Sequence, residues 1–381
     1  MKKQIKKIIL NIHLWLGLLT GLVIFIEGIT GAIYVFSLEI SESAYKDKYT
    51  LSSSAVTVEP LPLSQLTVKA RELIEEDVPL LRIYRRNTSE STVAFVFQKL
   101  DPDALFYNSY MQFFKTVYLN PYSGEVVEIE NTKWEFFNVI MWMHMTLLMS
   151  YDLGGAIVAW AVLGFVVMMI SGLILWWPKN KKSRKMRFWF TWKTGFSGKR
   201  KVFDLHTVLG FYILSFGLII SITGLFWSFQ SLNQGVKWIA DGGKVIERPL
   251  PKVPDTVELS NQEPLDKVYQ HMRVQSPNAD SYVIKMPRKP EYPFVGRAYF
   301  SHATFYDRAV YYADSKTGHL LRKDEMDDLT NAEKVVGINY DIHVGSIGGL
   351  STKVLAFITC LIISSLPITG FIIWRNKSYR V

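Results

Sequence analysis

The chain has 381 residues, of which 49% are hydrophobic and 20% are charged, and its formal net charge is +9. With 11 tryptophans and a mean hydropathy of +0.12, this composition argues against a single soluble domain and predicts an integral membrane protein with sizeable soluble parts. The basic excess lies in short segments beside apolar runs, where membrane topology explains it, so we expect no nucleic-acid partner.

Four segments are apolar enough, and long enough, to span about 30 Å of hydrocarbon, which takes about 20 helical residues. They are 8–38, 153–177, 203–229 and 352–374. The first follows several lysines, as the apolar part of a signal peptide does. Its apolar run is too long for a signal peptide and has no small-residue cleavage site, so we interpret it as a retained anchor.

Basic residues beside these segments predict the orientation of the chain. Lysines precede the first segment, ten Lys and Arg residues lie in the 178–202 loop, and three more follow the fourth segment. The positive-inside rule therefore places both termini and this loop in the cytoplasm. The two longer parts, 39–152 and 230–351, are predicted to lie outside the membrane as heads.

The two halves of the chain resemble each other. The segment 12–31, IHLWLGLLTGLVIFIEGITG, aligns with 205–224, LHTVLGFYILSFGLIISITG, at an offset of 193 residues. This alignment pairs His13 with His206 and Gly17 with Gly210. We therefore predict a tandem duplication in which each copy consists of a helix into the membrane, a head and a helix out.

The heads repeat as well. VYLNPYSGEVVEI (117–129) resembles VYYADSKTGHLLRKD (310–324), and each pattern predicts a strand, an Asx/Gly turn and a second strand. Beyond these turns, His144 matches His343 at an offset of 199 residues. Because both copies start in the cytoplasm, the repeat is parallel and its pseudo-twofold axis is predicted to run along the membrane normal.

Such an axis would place His13 opposite His206, and His144 opposite His343. A lone membrane histidine equally suits a hydrogen bond between helices, but its recurrence in both copies favours a ligand. Two imidazoles at one depth can bind an iron porphyrin from both sides, so the sequence predicts two haems. Zinc is disfavoured because two ligands at each level are fewer than the three or four that it needs.

The two predicted sites lie at different depths. His13 and His206 are close to the inner basic residues, which places their site in the cytoplasmic leaflet. His144 precedes Trp176 by 32 residues, about 48 Å along an unbroken helix, which is longer than the hydrocarbon is thick. The outer site is predicted at the outer interface or under the heads, unless 150–155 and 345–349 fold the chain back.

The glycines that follow the histidines, and Glu27, each have more than one possible interpretation. Glycines that follow His13 and His206, including Gly17 and Gly210, share one helix face and would let either a flat macrocycle or another helix approach. Glu27 interrupts the first apolar segment, and relaying protons, binding a quinol or meeting water at the outer side are all open roles for it.

The paired histidine–glycine helix starts, the two strand turns and the duplicated four-helix layout resemble the PepSY-associated transmembrane family, and within it the ferric-siderophore reductases of bacterial inner membranes. The resemblance implies a membrane α-helical fold with α+β PepSY-like periplasmic heads and two b-type haems held by His13/His206 and His144/His343. It implies a lipid-embedded oxidoreductase that reduces periplasmic ferric siderophore and releases iron.

No nucleotide-binding glycine motif occurs, so the electron donor is expected to be a separate quinol or flavoprotein, and no catalytic residue is assigned. A non-redox alternative stays open, in which a membrane-tethered PepSY module regulates periplasmic peptidases or acts as a sensor. A third alternative is a duplicated transporter, which would need polar or broken segments at mid-membrane.

Overall fold

The computed structural model describes residues 3–51, 59–74, 76–178, 187–190, 192, 197–244, 246, 248–254 and 263–378. Much of the basic loop predicted over 178–202 lies outside the described residues. The chain divides into two compact units, a membrane unit (Met1–Ser37, Ile140–Gln234 and Ile342–Val381) and a head unit (Leu38–Val139 and Gly235–Asp341).

The first half of the chain contains the following elements in order: α1 (Lys3–Val35), α2 (Ser37–Ala44), α3 (Lys46–Tyr49), α4 (Leu63–Glu72), β1 (Leu80–Arg86), β2 (Val93–Leu100), α5 (Tyr107–Tyr110), β3 (Met111–Leu119), β4 (Val126–Glu130), a 3₁₀ turn (Thr132–Trp134), α6 (Phe136–Thr146) and α7 (Tyr151–Trp176).

The second half continues with α8 (Gly198–Asp204), a π-helical turn (Leu205–Leu209), α9 (Gly210–Tyr212), α10 (Leu214–Ser228), α11 (Gln230–Ala240), α12 (Pro264–Gln275), β5 (Ser281–Lys285), β6 (Phe294–Tyr299), β7 (Arg308–Ala313), β8 (Leu320–Asp324), a 3₁₀ turn (Met326–Asp328), α13 (Asn331–His343), a second 3₁₀ turn (Ser346–Gly348) and α14 (Leu350–Ser378).

Among the described residues, α1, α7 and α14 are long and apolar enough to cross a membrane, judged by length and composition. The third predicted span, 203–229, is not the single straight helix that its composition suggests. It is a bent pair, Gly198–Tyr212 and Leu214–Ser228, which meet at 65° and make a fourth span only if they are counted together. The π-helical turn precedes the bend, and such turns are a known cause of kinks.

An apolar core holds the membrane unit together. Helix α1 packs against both α7 and α14. Between the helices, Ile24, Phe165, Met168, Ile213 and Ile363 are each less than a tenth exposed. Pro367 lies inside α14, where membrane helices tolerate proline because neighbouring groups satisfy the freed backbone.

The chain folds back on itself at the N-terminal ends of α7 and α14. Leu147 and Leu148 have positive φ angles of 54° and 58° in the turn between α6 and α7. Gly345 and Gly349, with φ of 78° and 67°, form the corresponding turn before α14. Of the two outcomes expected for His144 and His343, the fold-back is the one in this structure. The turn before α7 lies just ahead of the predicted 150–155, which begins α7, and the turn before α14 lies within the predicted 345–349.

The head unit contains one antiparallel sheet of eight strands in the order β4-β3-β2-β1-β5-β6-β7-β8. The central pair, β1 and β5, joins the two halves, with Ile83 opposite Ile284. This differs from the two separate heads predicted over 39–152 and 230–351, because an edge strand of each half pairs with the other. The chain after Val139 and after Asp341 belongs to the membrane unit instead.

Helices α4 and α12 cover one face of this sheet. Leu66, Val268 and Met272 pack onto strand residues that alternate inward, such as Phe95 and Tyr311. At the two predicted turns, Asn120 Oδ1 accepts from the Tyr122 amide at 2.9 Å, and Asp314 Oδ1 accepts from the Lys316 amide at 2.7 Å. Both turns end in a glycine of positive φ, as the sequence pattern predicts.

Candidate functional site

The structure brings the four predicted histidines together in two pairs, all within the membrane unit. His13 on α1 and His206 in the π-helical turn have ring centroids 6.3 Å apart and planes at 89°. His144 on α6 and His343 at the end of α13 have centroids 6.2 Å apart and planes at 60°. We call these the inner pair and the outer pair.

Each ring is held through Nδ1 by a hydroxyl group. His13 Nδ1 lies 3.0 Å from Ser171 Oγ, and His206 Nδ1 lies 3.0 Å from Thr369 Oγ1. In the outer pair, Nδ1 of His144 and Nδ1 of His343 each lie 3.0 Å from a threonine Oγ1, on Thr30 and Thr223 respectively.

A backbone carbonyl three residues before each hydroxyl completes the arrangement. The Met168 carbonyl oxygen is 3.1 Å from His13 Nδ1, and the Ile220 carbonyl oxygen is 3.0 Å from His343 Nδ1. The carbonyls of Glu27 and Leu366 accept in the same way from His144 and His206. All four rings therefore have the same two kinds of partner.

These contacts define which ring nitrogen carries the proton. Each hydroxyl donates its own proton along its helix, Ser171 to the Met168 carbonyl at 3.1 Å and Thr30 to the Ile26 carbonyl at 2.7 Å. Thr223 and Thr369 do likewise to Ile219 and Ser365. The hydroxyl therefore accepts from the ring, Nδ1 is the protonated nitrogen, and Nε2 keeps its lone pair.

A glycine follows each of these hydroxyl residues and allows the ring to lie against the helix. A Cβ atom at Gly172 would be 3.2 Å from His13 Cε1, and one at Gly370 would be 3.4 Å from His206 Cε1. At Gly31 and Gly224 the corresponding distances, to His144 and His343, are 3.3 Å and 3.2 Å. The rings therefore lie in close contact with the helix backbone, and a large side chain at any of these glycines would displace the ring.

The four contacts belong to one sequence pattern that recurs along the chain. Ile-(Ser/Thr)-Gly occurs in α1, α7, α10 and α14, at 29–31, 170–172, 222–224 and 368–370. Two of these tripeptides, at 29–31 and 222–224, lie in the aligned segments of the repeat. Their fourfold recurrence, once per predicted span, was the signal that could have located the histidine partners.

The spacing within each pair fits a metal ion bound from both sides. With metal–nitrogen bonds of about 2.0–2.1 Å and ring centres about 1.15 Å beyond each nitrogen, opposed imidazoles have centroids about 6.3–6.5 Å apart. The inner pair, at 6.3 Å, lies at the lower end of this range, and the outer pair, at 6.2 Å, lies just below it. Among the described residues, no group of three or more His, Cys, Asp or Glu side chains could hold a metal, so each pair offers two protein ligands.

A cavity of about 990 Å³ opens at the inner pair. Its lining includes both inner histidines and both glycines predicted to contact a cofactor, Gly17 and Gly210. Trp176 and Phe211 stack in its wall with centroids 4.0 Å apart. The volume is at the upper end of the range typical of small-molecule sites, about 300–1,000 Å³.

Cationic side chains are part of the same lining. Lys6, Arg187 and Arg200 all border the cavity. Arg187 donates to the Trp176 carbonyl, and Arg200 Nε lies 3.0 Å from the buried Asp204 carboxylate. The cavity therefore combines an apolar interior with positive charge, which suits a flat apolar ligand that carries acidic groups.

Glu27, the acidic residue within the first predicted span, lies beside the outer pair. Glu27 Oε2 lies 3.3 Å from His144 Nδ1 in the outer pair. Glu27 is 9% exposed, and its second oxygen, Oε1, has no hydrogen-bond partner among the described residues. The role of Glu27 was left open by the sequence, and the structure shows that it contacts a predicted ligand.

Comparison with known proteins agrees with this architecture. No curated protein is significantly similar to the chain. The model of one protein family, described as the PepSY-associated TM region, matches residues 10–377, which is nearly the whole chain. The protein is therefore a membrane protein of the PepSY-associated transmembrane family.

Proposed function

We propose that this protein is a haem-containing electron carrier of the bacterial inner membrane that reduces a ferric siderophore on the periplasmic side. The observation that carries the proposal is the geometry of the two histidine pairs. Each pair presents two Nε2 lone pairs at a centroid spacing suited to one shared metal ion. Each ring is also held in the tautomer that a metal ligand requires.

The residues fit two haems of the b type. His13 and His206 would hold the inner one and His144 and His343 the outer one. When bound, a haem held by two histidines would supply reversible one-electron transfer. The hydroxyl and carbonyl partners of each Nδ1 orient the rings and raise their basicity, as second-shell groups do at metal sites.

Other residues of the membrane unit would help to hold the inner haem and keep it away from water. Gly17 and Gly210 line the cavity at the inner pair and contribute no side chain at their own positions. Lys6, Arg187 and Arg200 border the cavity and supply cations for the carboxylates of a haem. Seven of the residues in the apolar core, Phe165 and Met168 among them, are less than a tenth exposed, so they exclude water from the interior.

The two pairs serve different sides of the membrane in this proposal. Helix α1 carries His13 and, 17 residues later, Thr30, which bonds the outer His144. Along a helix this separation is about 25 Å, most of the hydrocarbon thickness of about 30 Å. Since basic residues favour cytoplasmic termini, the inner pair faces the cytoplasm and a separate quinol or flavoprotein is the donor.

The acceptor is assigned to a cationic face of the head unit. On the sheet face opposite α4 and α12, Arg82 of β1 lies directly across from Lys285 of β5, and Arg297 of β6 is one row away. Burial and the neighbouring Arg288, Arg297 and Arg82 lower the pKa of Lys285. Positive charge on this face attracts anions, so we infer that an anionic ferric complex binds here.

A vesicle experiment tests the proposed function. Purified protein is inserted into lipid vesicles that contain an impermeant reductant, and a ferric siderophore is supplied outside. We expect Fe(II) to form outside, one ion for each electron transferred, and to be captured by a ferrous chelator. Vesicles with the His144→Ala/His343→Ala variant should form none, whereas the His319→Ala control, in the head unit, should behave as the wild type.

The non-redox alternative makes a different prediction in the same material. A PepSY module that regulates peptidases or acts as a sensor needs no paired ligands. Protein that is colourless after growth with ample haem, and vesicles that form no Fe(II), would therefore favour that alternative and refute the proposed function.

A further inference from the structure

The two copies of the repeat differ at one buried position next to the outer pair. At the repeat offset of 193 residues, Glu27 in α1 corresponds to Ile220 in α10. The backbone carbonyls at both positions accept from the outer histidines, Glu27 from His144 and Ile220 from His343. The backbone arrangement is thus shared, and only the side chain differs.

The side chain places a carboxyl oxygen beside one ring. His144 Nδ1 has Thr30 Oγ1 at 3.0 Å and, in addition, Glu27 Oε2 at 3.3 Å. Nδ1 of His13 has only a hydroxyl and a carbonyl as described partners, and the same is true of His343. Within the described part of the chain, His144 is therefore the predicted ligand with a carboxylate at Nδ1.

The position of Glu27 is unusual for a residue without a role. A carboxylate inside a membrane protein is costly to place and is by default a functional candidate. Glu27 is 9% exposed, and the buried Oε1 has no hydrogen-bond partner among the described residues. An isoleucine at this position would fit the helix, as Ile220 does in the other copy.

We propose that Glu27 is a positioning residue that gives the outer haem a lower reduction potential than the inner haem. A carboxyl oxygen this close to Nδ1 adds negative electrostatic potential at the ring of the ligand. That potential stabilises ferric relative to ferrous iron, so the outer haem becomes the stronger reductant. This inference rests on the proposed function, because it requires a haem at each pair.

The consequence for function lies in the direction of electron transfer. Ferric iron held by hard oxygen ligands is difficult to reduce, so the haem that reaches the acceptor has to be a strong reductant. Glu27 places this property at the outer pair, where the ferric complex would receive its electron, and leaves the inner pair easier to reduce by the donor.

Redox titration of single-haem variants tests the proposal. His13→Ala/His206→Ala leaves the outer haem alone, and His144→Ala/His343→Ala leaves the inner haem alone, so each potential is read from its own absorbance. We expect the outer haem to have the lower potential. Adding Glu27→Gln or Glu27→Ile to the outer-only protein should shift its ferric-to-ferrous ratio at fixed potential at least tenfold toward ferrous, about 59 mV.

Three results would overturn the proposal while leaving the proposed function intact. These are equal potentials at the two haems, a lower potential at the inner haem, and an outer potential that both Glu27 variants leave unchanged. If both variants lose the outer haem, Glu27→Asp decides, since a bound haem with the wild-type potential supports the proposal and loss of haem refutes it. Wild-type protein without haem would instead refute the proposed function itself.

Discussion

The inner and outer pairs reach similar ring spacings from different supports. The inner histidines lie on α1 and in the π-helical turn after α8, at the starts of the first and third predicted spans. The outer histidines lie on α6 and at the end of α13, two shorter helices that precede the turns into α7 and α14. Both pairs nevertheless bind to Ile-(Ser/Thr)-Gly tripeptides on the long helices. The tripeptide, rather than the helix that carries the histidine, is therefore the unit that defines a site.

The largest effect should come from removing one pair at a time. His13→Ala/His206→Ala should reduce bound haem from two per chain to one, and so should His144→Ala/His343→Ala, because each pair ligates its own iron. Haem and iron per chain measure this. His319→Ala should leave both haems bound. If either double variant lost no haem, or lost both, the pairs would not be independent sites.

The next effect separates the two sites through their glycines. Gly172→Leu should displace the His13 ring and release the inner haem alone, whereas Gly31→Leu should displace His144 and release the outer haem alone. Gly172→Ala should have a smaller effect because its Cβ lies 3.2 Å from the ring. Haem content is the measurement, and Gly198→Ala, with no atom within 4 Å of the new Cβ, is the matched control. Equal loss from both sites in both variants would contradict the assignment.

Removing one hydroxyl should weaken a site without abolishing it. Ser171→Ala at the inner pair and Thr223→Val at the outer pair remove one of the two acceptors of a ring, while the carbonyl remains. We expect each to lower haem affinity by about tenfold, at the low end for loss of a second-shell partner. Competition for haem by apomyoglobin measures this change. Wild-type affinity in both variants would show that the hydroxyls do not orient the rings.

The smallest effect is expected at the cationic face of the head unit. Lys285→Gln and Arg297→Gln should each raise the KM for an anionic ferric complex by about threefold and reduce its dependence on salt, because they weaken long-range attraction. The kcat should stay unchanged. Lys316→Gln, elsewhere on the head unit, serves as the control. An unchanged KM in the Lys285→Gln/Arg297→Gln double variant would remove this face from the account.

Much of the membrane unit could be predicted from the sequence because its signals are local or repeated. Long apolar runs predict spans by length alone, and 8–38, 153–177 and 352–374 correspond to α1, α7 and α14. The partners of His13 and His144 followed from the repeat offset, since a parallel duplication pairs equivalent positions. The turns at Asn120 and Asp314 followed from residues that bond their own backbone.

Other features depend on contacts that no local pattern encodes. The pairing of β1 with β5 joins strands from different halves, and its register is a tertiary property. The fold-back before α7 uses Leu147 and Leu148 at positive φ, which side chains of this kind rarely adopt, so its position at these two leucines could not be predicted from the sequence. The bend in the third span likewise has no proline to mark it.

The most direct test of the central claim is the number of haem irons bound to the purified full-length chain. We predict two low-spin haems per chain, both of which contribute to the reduced-minus-oxidised absorbance spectrum. A preparation that binds no haem when haem is abundant, or that binds one haem lost equally from both double-histidine variants, would contradict the claim that each histidine pair is a separate haem site.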